Sequence, residues 1–159
     1  MSESARIADQ LNRAFHGEAW HGPALLSILR GVRARLAAAR PIRTAHSIWE
    51  LVLHVMVWDA ATLRRIEGQV CQPKGLDNFP RVPKPASEAA WHETLDRLKT
   101  AHAELEQAVA AMPDVRLGEI VPGKKYDFYH QLHGTVQHEL YHAGQIALLK
   151  KARRRARRK

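Results

Sequence analysis

This 159-residue chain contains ten histidines, a side chain that can bind metal ions or transfer protons near neutral pH. Three stand apart by position: His54 lies in a strongly apolar segment, and His138 and His142 lie four residues apart. We expect the other seven to be solvated or capping side chains at helix ends, in loops or on polar faces: His16, His21, His46, His92, His102, His130 and His133. The first three are therefore the candidate functional histidines.

The segment around His54, SIWELVLHVMVW, is apolar around nearly the whole circumference of a helix, which is typical of a buried helix. A buried imidazole needs a partner, because an unpaired polar group in a protein interior costs roughly 1–3 kcal/mol. That partner is either a backbone or hydroxyl group, which makes His54 an ordinary core residue, or a metal ion. The segment alone leaves both interpretations open.

His138 and His142 share one face of the predicted last helix, one turn apart, where both rings can reach one ion. The same face carries three polar residues, Gln131, Thr135 and Gln145. A rival apolar stripe occupies the other side: Leu132, Val136, Leu140, Ala143 and Ala147. That stripe would leave the two histidines in solvent, but a buried His54 on another helix favours a three-histidine site.

Residues 138–142 read H-E-L-Y-H, the H-E-x-x-H pattern of zinc proteases, in which the glutamate is the general base. Proteases of this kind take their third ligand from a downstream residue, whereas no His, Asp, Glu or Cys follows His142. We therefore expect that the chain is not such a protease. Glu139 is then either a residue that supports the metal ligands without binding the ion, or an ordinary helix residue.

Three neutral imidazoles leave one coordination position open, as catalytic metal sites do. A divalent ion lowers the pKa of a bound water to about 7 or deprotonates a bound thiol, so hydrolysis and thiol transfer can use one site. Imidazole suits several metals, of which we expect zinc first and nickel second.

Glu50 lies one turn before His54, placed either to accept the second N–H of that histidine or to form a capping box with Ser47. Gln145 either contacts a ligand or bridges two helices.

The elements that position these residues are predicted from apolar residues at helical spacing. Helices are expected over about residues 3–15, 25–39, 47–67, 87–112 and 127–151, the second of them short. Segment 70–86 contains four prolines and is predicted to have no helix. No alternating strand pattern, internal repeat or membrane-length apolar stretch is present. The pattern predicts an all-α bundle.

Charge is concentrated at one end of the chain. Residues 150–159 hold eight of the 25 basic residues, leaving 17 basic against 16 acidic residues elsewhere. We therefore expect a nearly neutral helical bundle over residues 1–151 and a basic tail over 152–159. The single cysteine, Cys71, cannot form an internal disulfide, and the first residues do not form a signal peptide, so a cytoplasmic protein is expected.

The segments SIWELVLHVMVW and QHELYHAGQIALLKK resemble the DinB-like family of metal-binding four-helix-bundle proteins, over roughly residues 12–151. The most specific part is the run H-x-x-x-H-x-G-Q at His138, His142, Gly144 and Gln145. The resemblance implies an up-and-down bundle, a metal triad at His54, His138 and His142, and often a homodimer. Some relatives are thiol-dependent transferases or isomerases that use thiols such as bacillithiol or mycothiol. The basic tail is outside the family pattern.

The leading hypothesis is a metal-dependent enzyme, a thiol-dependent S-transferase or a hydrolase, acting on a small electrophilic molecule. The alternative is a non-catalytic protein that binds a metal or small ligand on the same bundle. A third hypothesis is association with nucleic acid through the basic tail. Against the third, the tail has no aromatic residue to stack on bases.

Overall fold

The computed structural model describes residues 1–156, and this part of the chain is all α-helical with no β-sheet. Four helices are long and four are short. The long ones are α1 (Glu3–Phe15), α4 (Ile48–Ile66), α6 (Glu88–Ala110) and α7 (Phe128–Ala156). The short ones are α2 (Leu25–Leu29), α3 (Ala34–Ala37), α5 (Gly75–Asn78) and a 3₁₀ helix (Asp114–Gly118). The predicted all-α fold class is confirmed.

The four long helices form a bundle in which α6 and α7 each pack against both α1 and α4. Helices α1 and α4 therefore occupy opposite corners, and α4 packs against α7. This packing brings the segment around His54 against the segment of α7 that carries His138 and His142. No helix among the described residues is long and apolar enough to cross a membrane.

The start of α4 is held by the predicted capping box. Ser47 Oγ accepts a hydrogen bond from the Glu50 amide at 3.2 Å, and Glu50 Oε2 accepts one from the Ser47 amide at 2.8 Å. The helix ends just before Gly68, whose φ of 89° is a conformation that favours glycine. Local sequence thus sets both ends of the helix that carries His54.

The helix predicted over residues 25–39 is two short helices, so that prediction is wrong. The helical conformation is interrupted at Gly31, which has a φ of 72°. This interruption is the break between α2 and α3. Two side chains from the α6 region bond to backbone groups next to the break: Trp91 Nε1 donates to the Val32 carbonyl at 2.8 Å, and Glu88 accepts from the Ala34 amide at 3.1 Å. Tertiary hydrogen bonds therefore replace the helical ones that the break removes.

Segment 70–86 contains the single helical turn α5, which corrects the prediction that it has no helix. The turn fits between Pro73 and Pro80, so neither proline ring interrupts it. Asn78, its last residue, contacts α4 through both its backbone carbonyl and its side chain. The loop is thus anchored beside His54.

Helix α7 begins at the predicted cap, since Asp127 Oδ1 accepts a hydrogen bond from the His130 amide at 2.8 Å. It continues to Ala156, five residues beyond the predicted end near Lys151. The first residues of the predicted tail therefore prolong α7. The last three residues of that tail, 157–159, lie outside the part of the chain that the structure describes.

The apolar core consists of two clusters with polar residues between them. On α6, Leu98 belongs to one cluster and Leu105 to the other, and the buried His102 lies between them. On α7, Ala143 and Leu132 flank the buried Glu139 in the same way. A buried polar layer therefore crosses the bundle.

Candidate metal centre

The structure brings His54, His138 and His142 together between α4 and α7. The Nε2 atom of His138 lies 3.0 Å from that of His54 and 3.1 Å from that of His142. Two nitrogens that bind one tetrahedral zinc ion at about 2.1 Å are about 3.4 Å apart, so ring movements of a few tenths of an ångström would admit an ion. The three atoms have the proximity that a shared metal requires.

The hydrogen bonds of these rings decide which nitrogen carries the hydrogen. His54 Nδ1 lies 2.8 Å from the Asn78 carbonyl oxygen, which can only accept, so Nδ1 is the donor and Nε2 carries a lone pair. His142 Nδ1 lies 2.8 Å from the amide oxygen of Gln145, which gives this ring the same tautomer.

Two lone pairs therefore face His138 Nε2, which carries at most one hydrogen and can donate to only one of them. Within the protein alone, at least one of the close nitrogen pairs has no hydrogen between its members. A cation at the centre would accept all three lone pairs. The donor set therefore fits a metal ion better than a hydrogen-bonded core.

Burial keeps these imidazoles uncharged at neutral pH. It lowers the pKa of His54 to about 4 and that of His138 to about 3, and it also lowers the pKa of His142. His142 adds to this effect on His54, and both His142 and His54 add to it on His138, because a second positive charge at close range is unfavourable. The three nitrogens can therefore bind a metal at pH 7 without first losing a proton.

The two residues expected near these histidines have different roles. Glu50 belongs to the capping box and pairs with Arg40, so its carboxylate makes no bond to His54. The backbone carbonyl of Asn78, and not Glu50, accepts the hydrogen bond from His54 Nδ1. Gln145 contacts His142 directly and holds its ring from the side away from the other two histidines.

The three histidines line a pocket of about 420 Å³, a volume that suits a small molecule. Phe79 stacks on His54 with 3.9 Å between ring centroids, and Trp58 donates from its indole nitrogen to the side chain of Asn78 at 2.7 Å. Arg65, 1% exposed, also lines the pocket, bonded to the Cys71 carbonyl and 5.3 Å from the Trp58 ring. The pocket thus combines aromatic walls with a fixed positive charge.

A second cluster, made of Asp59, His102 and Glu139, was missed from the sequence. His102 was expected to be solvated or capping, which is wrong: it is fully buried, and its ring stacks on Phe15 at 3.8 Å. Its Nδ1 lies 2.8 Å from Glu139 Oε1 and 3.6 Å from Asp59 Oδ2. Available signals were the acidic Asp59 within the apolar α4 and the position of His102 between Leu98 and Leu105 on one face of α6.

The cluster shifts the titration of all three groups. Burial disfavours a charged His102, but contact with the two carboxylates outweighs it and raises the pKa of His102 to about 9. Burial, with the charge of Asp59, raises the pKa of Glu139 to about 7 against the opposite effect of His102, and burial also raises the pKa of Asp59. Glu139 is fully buried and does not line the pocket, so it cannot meet a substrate there.

Comparison with known proteins identifies the family of this chain. A sequence model of the DinB superfamily matches residues 19–146, a range that includes all three histidines of the pocket. No curated protein and no solved structure shows significant similarity. Because the match covers most of the chain, the protein belongs to the DinB superfamily.

Proposed function

We propose that the protein is a metal-dependent enzyme that transfers a low-molecular-weight thiol to a small electrophilic molecule. Its divalent ion, zinc or else nickel, would be held by the Nε2 atoms of His54, His138 and His142. The observation that carries this proposal is the convergence of these atoms, two of them with their lone pairs directed inward, at the wall of a substrate-sized pocket. Hydrolysis is the second reaction that such a site permits.

When bound, the ion would supply Lewis acidity and lower the pKa of a thiol or water beside it. The protein's own groups do the rest. The Asn78 carbonyl and Gln145 orient two of the rings, which reduces the reorganisation needed to hold the ion. Trp58 and Phe79 form an aromatic wall of the pocket, and Arg65 would offer a positive charge to an acidic group of the thiol or electrophile.

The test is turnover by protein of known metal content. We would load the full chain with Zn²⁺ or Ni²⁺ and measure bound metal by mass spectrometry. Bacillithiol, mycothiol, glutathione and cysteine would each be offered with an alkyl halide or epoxide, and thiol consumption followed. We expect metal-dependent consumption of at least one thiol, lost in the His142→Ala variant.

Two results would contradict this function. Stoichiometric metal at the three histidines without turnover on thiol or ester substrates would indicate the alternative, a non-catalytic protein that binds a metal or small ligand. Thiol consumption that is unchanged in metal-free protein and in His142→Ala would place the reaction elsewhere.

A further inference from the structure

Three ionisable residues lie close together in the buried polar layer: Asp59 of α4, His102 of α6 and Glu139 of α7. All three side chains are fully buried, and each comes from a different helix. None of them lines the pocket beside the three histidines. They form a separate, closed cluster within the core.

The polar atoms of this cluster have no hydrogen-bond partner outside it among the described residues. Neither carboxylate oxygen of Asp59 or Glu139 has a hydrogen bond of good geometry to any described residue, and the same holds for both nitrogens of His102. His102 Nδ1 lies 2.8 Å from Glu139 Oε1 and 3.6 Å from Asp59 Oδ2, so among the described residues these three atoms have only one another as polar partners. Buried polar atoms left in this state are destabilising, and charged ones more so.

Charge balance points in the same direction. A protonated His102 would neutralise one of the two carboxylates and leave the other charged or forced to take up a proton. A divalent cation beside a neutral His102 would neutralise both. Two carboxylates and an imidazole with no hydrogen-bond partner outside the cluster are what a cation requires of its site.

The ligand atoms also have the right type and spacing. One imidazole nitrogen and a carboxylate oxygen from each acidic residue lie within 4.8 Å of one another. Imidazole favours transition metals and carboxylate favours harder ions, so the mixed set suits zinc, manganese or iron(II).

We propose that Asp59, His102 and Glu139 form a second metal site, which binds one divalent transition ion inside the bundle and joins α4, α6 and α7. We assign it a structural role, because its three side chains are fully buried and none of them lines the pocket. It is independent of the proposed enzymatic function, since it shares no ligand with the three-histidine centre.

The test uses a full-length variant in which His54, His138 and His142 are all changed to alanine, which leaves the buried cluster intact. The variant and the wild type are refolded with Zn²⁺ or Mn²⁺, dialysed, and analysed for metal per chain. We expect about two ions in the wild type and about one in the variant. Adding Asp59→Asn to the variant, which preserves the shape of the side chain, should remove the remaining ion.

Crystals of the wild type provide a measurement that does not depend on any variant folding. Anomalous diffraction at the zinc or manganese edge should give a second peak at bonding distance from the three side chains. A single peak at the histidines, with a metal-free triple variant, would overturn the proposal and indicate a protonated His102 between two carboxylates. Absence of thiol transfer would leave these results unchanged, so the two proposals can fail separately.

Discussion

The orientation of His54 and His142 depends on one hydrogen bond at each Nδ1 atom. The Asn78 carbonyl fixes the first ring and the Gln145 amide oxygen fixes the second. Such supporting contacts typically change metal affinity by about 10- to 100-fold. Because Gln145 contacts only the Nδ1 side of its ring, its contribution can be separated from that of the metal ligands themselves.

Replacing Gln145 with alanine should weaken metal binding by about 10- to 100-fold, because His142 loses the acceptor that fixes its tautomer. The matched control is Glu50→Gln, which changes a carboxylate near His54 that does not contact it. Competition with a chromophoric chelator measures both affinities. Equal affinities in the two variants would show that Gln145 does not support the site.

The depressed pKa values of His54 and His138 make the metal-free protein sensitive to acid. Each ring has a pKa of about 6.5 in the unfolded chain, but about 4 and about 3 in the folded protein. The unfolded state therefore binds more protons below pH 6.5, so stability is full above that pH and is lost as pH falls towards 4 and 3.

These two rings should lower the urea midpoint of the metal-free protein as pH falls from 7 to 5, against the opposite effect of Glu139, whose raised pKa favours the folded state over that range. The fall should be smaller in His138→Gln, which removes the ring with the lowest pKa and leaves the carboxylates in place. An identical pH dependence in both proteins would mean that the histidines do not carry the effect.

At the scale of the elements, we expect alanine substitutions of a loop glycine and of a helix glycine to have opposite effects on the free energy of unfolding. Gly31 separates α2 from α3 with a φ of 72°, whereas Gly144 lies within α7. A Cβ atom added at either position meets no atom within 4 Å. Any difference between alanine substitutions therefore comes from backbone conformation alone.

Gly31→Ala should destabilise the protein by about 1–2 kcal/mol, because an L side chain is strained at that φ. Gly144→Ala should stabilise it by about 0.5–1 kcal/mol, because alanine loses less backbone entropy in a helix. Urea unfolding of the two variants measures both changes. Stabilisation by Gly31→Ala would contradict the break between α2 and α3.

At the scale of the whole molecule, we expect the helical bundle (residues 1–151) and the basic tail (residues 152–159) to act independently. Lys150 donates to the carbonyls of Ile28 and Arg30 at 2.7 Å, so the start of the basic run belongs to the bundle. The pocket and the buried cluster lie further back along α7. Among the residues that the structure describes, those that line the pocket or form the buried cluster extend no further than His142.

Deleting residues 152–159 should leave metal content and the unfolding midpoint unchanged. If the full chain binds duplex DNA or heparin, the deletion should abolish that binding, and the full chain should bind far more weakly at about 200 mM salt than at about 50 mM because of counterion release. Fluorescence anisotropy at both salt concentrations provides the measurement. A truncated chain that lost its metal, or bound DNA as tightly as before, would disprove this separation.

The sequence by itself determined most of what depends on neighbouring residues. The caps at Ser47, Ser87 and Asp127 and the helices that follow them are set by contacts within a few positions. The proximity of His138 and His142 likewise follows from helical spacing, and the burial of His54 follows from the apolar residues around it. Each of these features depends on one helix at a time.

Only the tertiary structure decided which residues meet across helices. The Asn78 carbonyl reaches His54 because a loop with an unforeseen helical turn folds against α4, and a backbone group leaves no mark in the sequence. Asp59, His102 and Glu139 meet because α4, α6 and α7 pack at one level of the bundle. Distances between helices depend on side-chain packing throughout the core, which the local periodicity of a single helix does not contain.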